Sequence, residues 1–198
     1  PVPAIIMGSE GIITTGVVSE GHAYGDNGVY TVRLVVTDDD GGWGADTLTV
    51  TVHNQAPVID AGPDDSIDEG ATIYFEGSFT DLGWLDTHEA TWDWGDGTPI
   101  EPGVVTEYHP KFGGSGTIAG SHKYADNGLY TVTLTVWDQD EATIADTLDV
   151  TVFNVDPIVQ NIFPDQMPYA GTPIRFKISF TDQGWADTHT GSVDWGDS

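Results

Sequence analysis

Apolar and polar residues alternate along most of this chain. In the stretch 130–137, Tyr130, Val132, Leu134 and Val136 take one set of positions, and Thr131, Thr133, Thr135 and Trp137 take the other. A period of two sends successive side chains to opposite faces of an extended backbone, so the stretch predicts a half-buried β-strand. A tight turn precedes it and an acidic loop follows it. The same arrangement predicts strands at 29–37, 45–52, 58–61, 71–79, 90–94 and 145–152, with Ile73, Phe75 and Phe79 inward, and a weaker one at 12–18. Turn signals separate them: Asp26-Asn27-Gly28, Gly95-Asp96-Gly97 and an acidic turn over 64–70, all rich in residues that tolerate positive φ. The Pro- and Gly-rich residues 98–116 predict a hairpin or a long loop. No stretch has a helical period. Short strands punctuated this regularly predict an all-β chain of β-sandwiches.

The text repeats. His22, Tyr30 and Asp38 recur as His122, Tyr130 and Asp138, an offset of 100 residues, and FTDLGWLDTH at 79–88 returns as FTDQGWADTH at 180–189, an offset of 101. Repetition at this period predicts units of about 100 residues in tandem. Residues 1–55 read as the C-terminal half of a unit, 56–155 as a complete unit, and 156–198 as the N-terminal half of a further one. Half a sandwich cannot bury its own apolar face. Each half is therefore expected to be completed by a neighbouring copy or by sequence beyond the segment, and a head-to-tail contact of that kind builds a filament.

Trp92-Asp93-Trp94-Gly95-Asp96-Gly97, followed by His122, Tyr124, Gly128, the run 130–136 and Asp138, resembles the PKD (polycystic kidney disease) repeat. The resemblance covers the whole central unit and both partial ones. It implies tandem immunoglobulin-like (PKD-type) β-sandwiches on secreted or cell-surface proteins. The residues read independently agree. Asp126-x-Gly128-x-Tyr130 has the spacing of a tyrosine corner, and Trp92 or Trp94 would be the core tryptophan. Trp84 and Trp185, in loops, are expected to pack beneath those loops.

Charge narrows the function. Five Lys and Arg stand against 32 Asp and Glu, a net charge of −27. That excludes nucleic acid and anionic membrane surfaces as partners, since both are bound by clustered cations. No apolar run is long enough to span a bilayer, no secretory leader is legible, and the chain has no cysteine to bridge or to bind zinc. Close carboxylates repel unless a cation neutralises them, and a hard cation takes six to eight oxygens. Three loops at one end of a sandwich offer such oxygens: the linker with Asn54, the 80–88 loop with Asp81 and Asp86, and the loop of Asp138 and Asp140. The PKD resemblance implies a calcium (Ca2+) site at these positions. Carried to the third copy, it selects Asn154, Asp182 and Asp187; carried to the first, Asp38 and Asp40. Asp93, Asp96 and Asp126 read instead as turn residues that bond nearby backbone N–H groups. A recurring Asp-Thr-His (Asp86/His88, Asp187/His189) raises a zinc or acid–base pair, but no nucleophile pattern accompanies it, and no catalytic residue is expected. The expectation is an extracellular or cell-surface structural protein, a filament, stalk or surface layer stiffened by calcium, whose partners are copies of itself. The alternative is a spacer or a polysaccharide- or protein-binding accessory module of a secreted hydrolase or adhesin.

Overall fold

The computed structural model describes residues 15–160, 167–175 and 177–196. Two strands come first, β1 (Gly28–Thr37) and β2 (Trp43–Val52), paired as an antiparallel hairpin. The central unit follows with β3 (Val58–Asp60), β4 (Asp65–Asp68), β5 (Ile73–Asp81), β6 (His88–Asp93), β7 (Glu101–Pro102), β8 (Val104–Tyr108), β9 (Gly114–His122), β10 (Gly128–Asp138) and β11 (Thr143–Phe153). A last pair, β12 (Ile158–Gln160) and β13 (Ser179–Thr181), closes the described chain. No helix occurs among the described residues, so none is long and apolar enough to cross a membrane.

The central unit is a sandwich of two sheets, ordered β4-β11-β10-β6-β7 and β3-β5-β9-β8. Its inner faces carry the period-two residues. Ile73, Phe75 and Phe79 of β5 are buried, as are Val132, Leu134 and Val136 of β10 and Leu148, Val150 and Val152 of β11. Both Trp92 and Trp94 lie in the core, stacked on one another at 5.6 Å, with Phe75 5.7 and 5.1 Å from the two rings. Each large side chain fully removed from water contributes roughly 1.5–3 kcal/mol. The tyrosine corner forms: the Tyr130 hydroxyl donates to the Asp126 carbonyl at 2.9 Å, and Tyr30 does the same to Asp26 at 2.9 Å.

The Pro/Gly-rich stretch 98–116 contains β7, β8 and the start of β9, the hairpin among the two options. The acidic stretch 64–70 differs from the expected turn, because its middle is β4, paired parallel to β11 with Val152 opposite Ile67. Ile67 packs against the core, and that one apolar anchor is enough to hold four residues in an extended edge strand. Of the weak strand expected at 12–18, residues 12–14 lie outside the described residues and 15–18 form no strand.

The flanking strand pairs repeat the central unit's registers. Gly28 faces Val52 as Gly128 faces Val152, and Ile158 faces Thr181 as Val58 faces Thr80. Burial is where they differ. Leu34 is 46% exposed, while its counterpart Leu134 is fully buried.

Candidate metal centre

The loops at one end of the central sandwich gather its acidic side chains. Asp81 ends β5, Asp138 ends β10, and Asp138 stands opposite His88, the first residue of β6, in the ladder. Strand ends fixed by register thus place two carboxylates together, and the loop between β5 and β6 folds Asp86 onto them. One oxygen from each of Asp81, Asp86 and Asp138 lies within 4.8 Å of the others, and all three residues are buried. Oxygens held at about 2.4 Å from a calcium ion are at most about 4.8 Å apart, so this spacing suits a shared cation.

Hydrogen bonds hold two of the three in place. Asp81 accepts the Gly83 N–H at 2.8 Å through one oxygen and faces His88 Nε2 at 3.1 Å through the other. Asp138 Oδ1 accepts the N–H groups of Asp140 and Ala142, both at 2.9 Å, and its Oδ2 takes the Asn54 side-chain amide at 2.7 Å. Turned over about its last bond, that amide would offer its oxygen instead. Asp86 is different. It is fully buried, and neither carboxylate oxygen has a hydrogen-bond partner. Burial, and then the charges of Asp81, Asp26, Asp138 and Asp140, push its carboxyl up to about 6. Two carboxylates at this separation repel by on the order of 3 kcal/mol at an effective dielectric of about 20. Gly83 leaves the carboxylate room, since a Cβ there would stand 2.0 Å from Asp86 Oδ2. An orphaned buried carboxylate among acidic neighbours, with an all-oxygen donor set, fits a hard divalent cation and fits calcium's need for many oxygens.

His88 does not belong to that donor set. Its ring nitrogens lie 3.1 Å from Asp81 and 3.1 Å from Glu107, so the ring orients Asp81 rather than pairing with Asp86. The Asp-Thr-His spacing therefore misleads: the histidine's partner sits seven residues back, across the loop. The pattern recurs in the third copy. His189 Nε2 lies 2.7 Å from Asp182, which also accepts the Gly184 N–H at 3.1 Å, and Asp182, Asp187 and His189 cluster. The His189 bond holds the Asp182 carboxyl below its ordinary value.

Other residues selected from the sequence stand apart. Asp38 and Asp40 lie on the exposed loop after β1, where Asp38 Oδ1 accepts the Gly42 N–H at 2.6 Å; among the described residues they join no acidic cluster. Asn154 is exposed beside Val155. Asp93 and Asp96 bond backbone N–H groups of Gly95 and Thr98, at 3.1 and 3.0 Å, as turn residues do. His122 is structural, facing Asp96 at 2.8 Å and stacked on Trp94 at 5.0 Å.

Three acidic residues beside Asp86 and its counterpart Asp187 escape sequence reasoning. Asp26 lies with Asp86 and Asp140, and Glu69 and Asp126 lie with Asp187. The turn reading of Asp126 covers its backbone alone, since its carboxylate faces its acidic neighbours. Each comes from far earlier in the chain than the loop aspartate it meets, so no local spacing links them. The one available signal is that Asp26 recurs as Asp126 at the repeat's own offset.

Among known proteins, the family model described as the PKD domain matches residues 54–152. Solved structures similar to this chain include Ig1–Ig2 of Dpr2 in complex with Ig1–Ig3 of DIP-Theta (10% identity, TM-score 0.33, 66% of this chain and 60% of that one). Titin kinase with its flanking domains is another (13% identity, TM-score 0.29, 56% and 19%). The chain thus spans less than two thirds of either structure.

Proposed function

This chain belongs to the PKD-domain family, and from that premise we propose that it is an extracellular structural array of sandwiches whose ends are stiffened by calcium. The observation that carries this reading is a joint made twice. Leu85 donates its N–H to the Gly25 carbonyl at 3.1 Å, and Ala186 donates to the Ala125 carbonyl at 3.2 Å. Each bond ties the loop of one unit to the tyrosine-corner turn of the unit before it. Equivalent atoms meet at both ends of the central sandwich, as a repeating rod requires.

Calcium would be held by Asp81, Asp86 and Asp138, with Asn54 and Asp140 completing the oxygens. In the third copy Asp182 and Asp187 take the same places, and Asn154 follows β11 in sequence as Asn54 follows β2. The ion supplies charge neutralisation, which turns mutually repelling loops into a clamp. The exposed apolar face of β1 and β2, with Val32, Leu34, Val36 and Leu48 uncovered, has the register of a buried core face. We assign its cover to text like that of β3, β5 and β9, whether from the same polypeptide or from a neighbouring copy. The role is mechanical and needs no catalytic residue. The alternative, a polysaccharide-binding accessory module, calls for an aromatic platform. On the β3-β5-β9-β8 sheet of the central sandwich, the exposed Tyr74 and Tyr108 stand opposite Ser121 and Ser115, at the two ends of β9, roughly 20 Å apart at strand spacing, and form no such platform there.

Calcium added to chelator-stripped protein tests the reading. Binding to the native state alone stabilises by about 2.7 kcal/mol at a hundredfold excess over Kd. That amounts to a rise in melting temperature of roughly 5–15 °C. No rise at millimolar calcium rejects it.

A further inference from the structure

The intradomain cluster leaves part of the acidic end unexplained. Asp86 offers two buried oxygens without partners, and it belongs to two groups at once: Asp81, Asp86 and Asp138 within the sandwich, and Asp26, Asp86 and Asp140 across the joint. Its counterpart Asp187 is likewise shared, between Asp182 and His189 on one side and Glu69 and Asp126 on the other. Glu69 is fully buried. Its Oε1 accepts the Val155 N–H at 2.7 Å, its backbone N–H donates to the Phe153 carbonyl at 2.9 Å, and its Oε2 has no partner. Asp26 Oδ1 is buried and unpartnered too.

The backbone around these groups is built to hold them still. The tyrosine corners fix the carbonyls of Asp26 and Asp126, which sets where their side chains leave the turn. The inter-unit N–H bonds bring the next loop to a fixed distance from that turn. A Cβ on Gly184 would stand 2.7 Å from the Glu69 carboxyl carbon and 2.8 Å from Asp187 Oδ2, as one on Gly83 would crowd Asp86, so glycine keeps both approaches open. Carboxylates drawn together across the joint, with buried oxygens on Asp26, Asp86 and Glu69 that no donor satisfies, are unfavourable unless a cation lies between them.

We propose that each joint holds a divalent-cation position of its own, next to the intradomain one and sharing its central aspartate. The preceding unit contributes Asp26 at the first joint, and Glu69 and Asp126 at the second. The following unit contributes Asp86 with Asp140 at the first, and Asp187 at the second. This rests on the calcium reading above but differs from it in consequence. The intradomain ion steadies one sandwich, whereas the joint ion fixes two sandwiches relative to each other.

The 198-residue chain, stripped with chelator and titrated with calcium chloride, tests this with three readouts: ions bound by isothermal titration, melting temperature, and the distance between spin labels. The absence of native cysteine lets labels be placed cleanly at Thr47→Cys and Thr106→Cys, both exposed and on opposite sides of the first joint. In the parent chain, calcium is expected to narrow the label distance distribution and to raise the melting temperature. Asp26→Asn is expected to bind one ion fewer and to lose the narrowing, while the central sandwich keeps its calcium-dependent melting shift. Asp126→Asn, with labels at Thr106→Cys and Thr188→Cys, should behave alike at the second joint and guards against a folding defect in either variant. An unchanged ion count, or undiminished narrowing in both variants, overturns the joint site and leaves the intradomain one standing. No calcium binding by the parent chain sinks both.

Discussion

Asp86 illustrates how one side chain can be a liability and a device together. Its carboxyl titrates at about 6 in the folded chain against an ordinary 3.8. Folding therefore favours its protonated form. In chelator, that contribution is complete below pH about 3.8 and is lost as pH rises through about 6, so at neutral pH the charge opposes folding. Asp86→Asn should stabilise the chelator-treated protein at pH 7 by on the order of 2 kcal/mol and abolish most of the calcium-dependent gain. Thermal melts with and without calcium read both signs. Asp96 has the opposite linkage. Burial pushes its carboxyl up, but the Thr98 hydroxyl, the His122 ring and the Thr98 N–H hold it, on balance, below 3.8. Its contribution is whole above pH about 3.8 and disappears as pH falls through the lower folded value. Asp96→Asn should accordingly flatten the acid limb of the stability profile and leave neutral-pH calcium binding untouched.

At the level of strands, one text is read in two environments. Leu134→Ala empties a fully buried site and should cost 2–5 kcal/mol, whereas Leu34→Ala, at a site 46% exposed, should cost under about 1 kcal/mol, measured by denaturant midpoints. The alternation of Val132, Leu134 and Val136 made β10 legible, because burial of one sheet face imposes a period of two on any sequence. The edge strand β4 was not legible in Asp65–Asp68, since an edge needs a single apolar anchor and Ile67 alone makes no pattern. The acidic centre was half legible. Asp81, Asp86 and Asp138 follow from loops at one end of a single sandwich. Asp26 reaches Asp86, and Glu69 and Asp126 reach Asp187, through space from far earlier in the chain, which no spacing along it encodes. Tyr130 binds the two levels together: its hydroxyl secures the turn that carries Asp126. Tyr130→Phe should cost about 1 kcal/mol and weaken calcium binding at the second joint.

Across the whole molecule, a net charge of −27 with few cations makes self-repulsion the general opponent of compaction. Moderate monovalent salt should raise the melting temperature of chelator-treated protein, and do so less once calcium is bound. The two joints share a hydrogen bond but not a surface. Trp84 lies against Gly25 so closely that a Cβ there would stand 2.5 Å from its ring, whereas the second joint has Ala125 at the equivalent place and Trp185 is 60% exposed. Under a pulling force the two connections would then not yield together. The one bearing alanine would give first and spare its neighbour, so that extension would proceed in steps along a strand of such modules.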